Sequence, residues 1–539
     1  MGSGILAFRL GRHRSFSGAR AKLPPKHDRG RPLKILIINP PYHSLTSLYG
    51  VGAQTPLGLL WVGGALIDAG HEVSLLDAEA LRLDVAEVIR RAAAFRPGLI
   101  MTGHAGSTPA HPQVLAMARA LKTKLPAVPV VYGGVYPTYH GPEILAEEPA
   151  IDVIVRGEGE RTAVALAAAI ADGRALSGVP GIVYRDGSRA RTTVPAEMIA
   201  DLDAYRVGWE LIADWDVYQC WGMGRAAVVQ FSRGCPHQCT YCGQRGFWTK
   251  WRYRDTAKAV AEIAFLHREH GVNFIDLADE NPTSSKRVWR AFLEALAAEK
   301  LPIRLFATIR ATDIVRDADI LPLYKAAGID CVLMGMETTD PQTIETIRKG
   351  SSTRDDFEAI RLLRRHGILS MVGHIVGFEE ETAGDYWRAL RQLLVYDPDL
   401  LNAMYVTPHR WTAFYRDSIG REVIEADRSR WDYRHQILGT RHLRPWQTAA
   451  LVKLTEVAVH LRPRALWRLM AHPDRQIRRA FRWCLTHSSR VWFTEVAEII
   501  RGRSQPGGAH SLGEVAGAHV PDEAPLVPAS DVRTPFHRA

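Results

Sequence analysis

Ala226-Ala-Val-Val-Gln-Phe231-Ser-Arg-Gly-Cys235-Pro-His-Gln-Cys239-Thr-Tyr-Cys242 decides the reading of this chain. Its first part is a short apolar run of the kind that forms a strand buried on both faces of a parallel sheet. The cysteines follow at once, placing three thiolates on the loop after that strand. A cubane iron–sulfur cluster ordinarily takes four cysteine ligands, and no fourth cysteine stands nearby. Three thiolates leave one iron open, able to chelate an amino-acid ligand rather than only carry electrons. The other reading is a zinc knot or a purely structural cluster, which needs Cys220, Cys331 or Cys484 to fold back as the fourth ligand.

Downstream, strand-like runs at Asn273 to Leu277, Arg304 to Ile309, Cys331 to Met336 and Ser370 to Val376 alternate with helical segments such as Thr256 to His270 and Asp355 to His366. The alternation predicts a partial or full parallel β/α barrel over 223–407, with its chemistry at the carboxyl ends of the strands. Beyond it, 408–502 is mostly helical in pattern and rich in Trp, Arg and His, a separate C-terminal unit.

Upstream, Lys34-Ile-Leu-Ile-Ile-Asn39 begins a second series of the same kind. Glu72 to Asp77, Gly98 to Gly103, Val128 to Gly134 and Asp152 to Gly157 repeat the theme, each followed by glycine or polar residues and a helical stretch. This predicts a doubly wound α/β domain over 33–165, followed by a linker of mixed strands and turns over 166–222. Its ligand belongs beyond the strand ends, where the loops carry Asn39, Gly103, His104, Gly106, Ser107, Gly133, Gly134, Gly157, Glu158 and Gly159.

Length and composition agree with several domains: 539 residues, 46% hydrophobic and 23% charged, with no apolar run long enough to span a membrane. Six cysteines, three of them crowded together, suit a reducing compartment, which points to the cytoplasm. Residues 1–32 are basic and read as a disordered arm, with a transit peptide as the alternative; 503–539 read as a disordered tail. The net charge of +10 permits an acidic ligand, a nucleic acid or peripheral membrane contact, but the arginines are spread along the chain. No phosphate-loop motif occurs, which excludes a P-loop NTPase. The C-terminal unit lacks a recognisable RNA-binding motif, so no nucleic-acid partner is expected.

The cysteine spacing, with Tyr241 before the last cysteine, resembles the cluster loop of the radical S-adenosylmethionine superfamily. The resemblance implies a [4Fe-4S] cluster on Cys235, Cys239 and Cys242 that cleaves S-adenosylmethionine to a 5′-deoxyadenosyl radical. It also places Tyr241 against the adenine, Asp279 and Glu280 near the methionine amine, Arg310 near the carboxylate and Glu337 near the ribose. Gly377, in Gly373-His-Ile-Val-Gly-Phe378, falls on the adenine-side strand. The upstream series Asn39-Pro-Pro, Gly70-His-Glu-Val, Asp77, Val131-Tyr-Gly-Gly and Arg156-Gly-Glu-Gly-Glu160 resembles the cobalamin-binding domain of the B12-dependent subgroup, with a generic nucleotide-binding domain as the alternative. The Asp-x-His-x-x-Gly sequence that supplies a lower histidine ligand in some cobalamin proteins is absent from 33 to 165, so the dimethylbenzimidazole is expected off the metal.

Five stretches, Cys235 to Trp248, Arg252 to Asp255, Leu277 to Thr283, Val406 to Thr412 and Ala471 to Arg478, resemble one branch of that subgroup. It comprises the anaerobic oxidative cyclases that build the isocyclic ring of bacteriochlorophyll from magnesium-protoporphyrin IX monomethyl ester, with oxygen drawn from water. The resemblance implies a porphyrin substrate, an electron donor such as a flavodoxin or ferredoxin, and an apolar slot for which Trp248, Trp251, His409, Arg410 and Trp411 are candidates. No catalytic side chain is assigned. The alternatives are a cobalamin-dependent C-methyltransferase with the same cofactors, and a non-catalytic cobalamin sensor.

Overall fold

Lys34–Asn39 is apolar on both faces because it is the centre of a sheet covered on both sides. The computed structural model describes residues 31–44, 51–106, 108–244, 246–248, 250–501, 510–517 and 526–527. In it β1 (Lys34–Asn39), β2 (Glu72–Asp77), β3 (Leu99–Gly103), β4 (Val130–Gly133), β5 (Val153–Val155), β6 (Ile182–Asp186) and β7 (Arg189–Thr192) form one sheet of order 2-1-3-4-5-6-7. The first five strands are parallel, while β6 and β7 add antiparallel to the edge. The period of two shows in the packing. Leu36, Ile38, Ile100 and Tyr132 enter the core on one face, and Ile35, Ile37, Leu99 and Val131 enter the core on the other. The order reverses between β1 and β3, so the carboxyl-end crevice of this doubly wound sheet opens there.

The sheet of the first domain runs on past the expected boundary at residue 165. The helix Gly159–Ala171 runs through it, and β6 and β7 carry the sheet to Thr192. Local patterning misses this extension because an antiparallel hairpin added to a parallel edge is decided by long-range pairing. A short strand, β8 (Ala196–Glu197), follows.

The second sheet contains β9 (Ala226–Val229), β12 (Phe274–Leu277), β13 (Arg304–Thr308), β14 (Ile329–Glu337), β15 (Leu369–Val376) and β16 (Leu400–Tyr405), all parallel and in that order. β9 and β16 are its two edges, so the barrel is the partial form. Between β9 and β12 a small antiparallel pair, β10 (Ser232–Arg233) with β11 (Arg252–Tyr253), brackets the cysteine loop. The β9 edge is covered from the first domain, where the Thr55 hydroxyl accepts from the Val228 amide at 2.9 Å. The β16 edge is covered by the helix Pro445–His460, whose His460 ring accepts from the Leu401 amide at 3.1 Å.

The expected disordered tail is also corrected in part. Residues 510–517 form the short helix Leu512–Ala516, started by a capping box of Ser511 and Glu514, and Leu512 is fully buried beside Tyr415 and Trp431. Leu526–Val527, β17, pairs with β8. The basic arm expected at 1–32 lies, apart from Arg31 and Pro32, outside the described residues.

Candidate functional site at the carboxyl ends of two sheets

β9 delivers the cysteine loop, and the end of β12 fastens its start. Both Asp279 oxygens are engaged there, accepting from the Phe231 amide at 3.0 Å and from the Ser232 amide and hydroxyl. Glu280 accepts from the Gly234 amide at 2.9 Å, one residue before Cys235. Gly234 has φ +94°, and a Cβ there would lie 2.4 Å from the Lys250 carbonyl, so glycine is what lets the β10–β11 pair close. The far side of the loop is held by Thr240 donating to the Ile347 carbonyl, Phe414 donating to the Thr240 carbonyl, and the Trp411 indole donating to the Gly243 carbonyl at 2.6 Å.

Cys235, Cys239 and Cys242 line a cavity of about 450 Å³ together with His237, Trp248, Asp276, Glu280 and Thr308. Burial pushes the Cys235 thiol up to about 11, so a thiolate there calls for a cation to hold it. Cys220 packs on Ala226 and Phe274, the first residues of β9 and β12, and Cys331 sits near the start of β14. Both lie at the amino ends of the strands, away from the loop. No extra thiol folds back to complete a zinc knot, and among the described residues no three His, Cys, Asp or Glu groups converge on a single ion. The donor set fits a cubane cluster with three protein ligands.

On the opposite wall, the Tyr241 hydroxyl bonds Glu337, and Lys349 reaches the same carboxylate at 2.5 Å. Glu337 ends β14 with φ +63°, a strained backbone for a non-glycine residue. A Cβ on Gly335 would fall 2.0 Å from the Glu337 carboxylate, so the glycine makes room for this side chain to fold back. Arg310 donates to the Lys349 and Gly350 carbonyls at 2.7 and 3.1 Å. Around this group the Arg310 Nε, the Ser351 hydroxyl, the His374 Nδ1 and both Asp356 oxygens are buried without a partner. Burial raises Asp356 to about 8 and Glu280 to about 8, and lowers His374 to about 4. Buried polar atoms left open in this number mark a site for a polar ligand. They fit a zwitterionic amino acid joined to a nucleoside. Lys349, Asp356, His374 and Asp276 were not singled out from sequence. The sign for Asp276 was alternation: it sits between the buried Ile275 and Leu277 and so faces the lumen. Gly377 follows β15 with φ +90°, and its amide donates to Glu381 at 2.8 Å.

The crevice of the first sheet is built from backbone. A Cβ on Gly103 would meet the Gly133 carbonyl at 2.8 Å, and Gly134 and Gly157 have φ +116° and +74°. Asn39 donates to Asp77 at 2.8 Å and Glu79 at 3.3 Å. His104 accepts from the Gly106 amide at Nδ1, which leaves the proton on Nε2, 2.8 Å from Glu79. Both ring nitrogens are thus engaged within the protein, and neither is offered to a metal. A glycine-lined cradle fits a large flat cofactor held by shape. Ser107 lies outside the described residues. Glu158 turns away from the crevice and pairs with Arg233 at 3.2 Å and Arg252 at 2.8 Å, while Glu160 takes Arg233 at 2.6 Å. These buried pairs tie the β10–β11 bracket to the first domain. Gly159 starts the helix after β5, close against Val62.

Of the aromatic candidates, Trp248 opens on the cavity, its indole nitrogen unpartnered. Trp251 is buried and donates to the Asn281 carbonyl at 2.9 Å. His409, Arg410 and Trp411 lie at the seam between the cysteine loop and the helix Val135–Glu147. Trp411 stacks on Tyr139 and His409, His409 bonds the Tyr433 hydroxyl at 2.6 Å, and Arg410 pairs with Glu143 at 3.1 Å.

Two family models match the chain, a B12 binding domain over 51–167 and the radical SAM superfamily over 229–393. The chain is 48% identical over 501 residues to the anaerobic magnesium-protoporphyrin IX monomethyl ester cyclase of Synechocystis, covering 93% of this chain and all of that one. It is 31% identical to the protein of the same name from Rubrivivax gelatinosus, over 74% of this chain and 72% of that one. Among solved structures, the radical S-adenosylmethionine methyltransferase TsrM of Kitasatospora setae, with cobalamin and [4Fe-4S] cluster bound, superimposes with a TM-score of 0.63 at 18% identity. That match covers 80% of this chain and 89% of TsrM, and is a likeness of fold.

Proposed function

The chain belongs to the family of anaerobic magnesium-protoporphyrin IX monomethyl ester cyclases, within the B12-binding radical SAM proteins, and from that premise we propose that it oxidatively closes the isocyclic ring of magnesium-protoporphyrin IX monomethyl ester to give protochlorophyllide. The observation that carries this reading is the 48% identity along the whole length of the Synechocystis relative. The oxygen comes from water. The cofactors are a [4Fe-4S] cluster, S-adenosylmethionine and cobalamin, which together supply radical hydrogen abstraction and one-electron chemistry that side chains lack.

The protein's own part is to bind, orient and exclude water. Cys235, Cys239 and Cys242 hold the cluster. Glu280 and Arg310 take the charged end of S-adenosylmethionine, Tyr241 and Glu337 its nucleoside, with Lys349 fixing Glu337 and Gly377 beside the adenine. Asp279 lines the same cavity and shapes the loop through its bonds to Phe231 and Ser232. Asn39, Gly103, Gly133, Gly134 and Gly157 would cradle the cobalamin, with His104 bracing the loop. Trp248 offers the porphyrin an apolar wall, while His409, Arg410 and Trp411 hold that wall's foundation. The units are 33–192 for cobalamin, 223–407 for the radical chemistry and 408–502 with 510–517 for the helical domain. The six free cysteines suit the cytoplasm, where a flavodoxin or ferredoxin would supply electrons.

The test is an anaerobic incubation of the reconstituted protein with cobalamin, reductant, S-adenosylmethionine and the porphyrin ester in 18O-labelled water, read by mass spectrometry. A labelled, oxidised tetrapyrrole with 5′-deoxyadenosine is the expected outcome. A methylated product with S-adenosylhomocysteine would replace cyclisation by methyl transfer, and no 5′-deoxyadenosine under strong reduction would leave a sensor.

A further inference from the structure

Three neighbouring helices carry an apolar face that nothing in the described structure covers. Ala383–Tyr396 lies in the outer layer of the barrel between β15 and β16, and Pro445–His460 packs beside it along the β16 edge. Pro463–Met470 is fixed to both, because Asp397 pairs with Arg462 at 2.5 Å and Arg468 at 2.6 Å. On their outer side Val395 is 69% exposed, Trp446 59%, Leu461 56%, Trp467 74% and Met470 62%. The positions follow helical spacing: Trp446, Leu454, Val457 and Leu461 fall on one stripe, running from the barrel mouth, where Arg441 pairs with Glu379, to its floor.

The charge on this face has one sign. The three helices contain only two acids, Asp385 and Glu456. Asp385 is taken by Arg388, and Glu456 is buried and paired with Lys453 at 2.8 Å and Arg434 at 3.4 Å. Arg391, between Trp387 and Val395, and Arg464, beside Trp467, are exposed and have no acid partner among the described residues. Tryptophans and aliphatic side chains interleaved with arginines, without a free acid, are the make-up of a surface that rests on an anionic bilayer. A second copy fits this face poorly, since a two-fold contact sets arginine against arginine. No helix of the described structure is long and apolar enough to cross a membrane, so the contact is peripheral.

We propose that the outer face of Ala383–Tyr396, Pro445–His460 and Pro463–Met470 docks the enzyme on an anionic phospholipid surface, with the barrel axis along the membrane and its mouth near the membrane plane. The inference stands on the surface alone and does not require the cyclase reading. Sedimentation of the full chain with vesicles of phosphatidylcholine and phosphatidylglycerol, against vesicles of phosphatidylcholine only, tests it. Binding to the anionic vesicles that weakens with salt is expected, and Arg391→Ser and Arg464→Ser should each lower the partition coefficient about fivefold. Trp467→Ser should lower it as well, while cobalamin binding, read by absorbance, stays unchanged and reports an intact fold. Absence of sedimentation with anionic vesicles, or equal sedimentation of parent and variants, would overturn the proposal. A concentration-dependent dimer in light scattering that Trp467→Ser dissolves, with no vesicle binding, would also overturn it and give the face to a second copy.

Discussion

At the carboxyl ends of β3 and β4 the crevice is lined by backbone at Gly103, Gly133 and Gly134, and the His104 imidazole is engaged by Glu79 and Gly106. At the ends of β12 and β14 the site is lined with charge, through Glu280, Glu337, Lys349 and Arg310, with Glu280 raised by burial and the Arg310 Nε left without a partner. Two sheets built mainly of parallel strands thus present opposite surfaces at their carboxyl ends. In the proposed reading, a large flat cofactor is recognised by removing side chains and a small zwitterionic one by concentrating them. The cost differs accordingly: the first site is sensitive to volume, the second to charge and pH.

That contrast can be broken hardest at the thiols. Replacing Cys235, Cys239 and Cys242 together with alanine should abolish the iron–sulfur absorption and 5′-deoxyadenosine formation, while cobalamin affinity is retained. Loss of cobalamin binding as well would mean that the two sites are not separately built. Next, Glu337→Gln should raise the KM for S-adenosylmethionine about tenfold through loss of a charge-assisted bond, and leave cobalamin titration unmoved. Gly103→Ala should do the reverse. The added methyl must clear the Gly133 carbonyl, a close contact costing about 1–3 kcal/mol, so cobalamin weakens while uncoupled cleavage of S-adenosylmethionine persists.

The smallest effect concerns pH and the apoprotein. Asp356, raised by burial to about 8 from an ordinary 3.8, keeps a proton in the folded state that the unfolded chain gives up. Folding stability is therefore lost as pH rises from the unfolded value towards 8. Asp356→Asn should flatten that slope in thermal denaturation and raise the melting temperature at pH 8 by a few degrees. An unchanged slope would assign the loss to the other raised carboxyls of the barrel, Asp276 among them.

The two sheets were also unequally legible. The parallel strands of both, β16 excepted, could be read from sequence because each is a short buried run ended by glycine or a polar residue, and the cysteine loop could be read because its spacing is contiguous. β6 and β7 fall where mixed strands and turns are expected, but that they join the first sheet could not be read, since it is decided by pairing of Ile182–Asp186 with β5 and with the mostly exposed Arg189–Thr192. Leu512 sits in a polar, glycine-rich tail whose composition reads as disordered, yet one buried leucine and a capping box are enough to dock it. Lys349 and Asp356 lie beyond β14 and meet Glu337 only through the fold. Asp279 follows β12 and lines the cavity, but its bonds to the Phe231 and Ser232 amides and the Ser232 hydroxyl could not be read from sequence.

The pairing of Glu158 and Glu160 with Arg233 and Arg252 bears on inheritance. Recombination can exchange a cobalamin module between relatives only if the incoming module brings acids to those two places. Otherwise buried guanidinium groups beside the cysteine loop are left without counter-charge, a loss of about 3–5 kcal/mol for each broken pair. The modules are separate in architecture, but this seam makes them a single unit of descent.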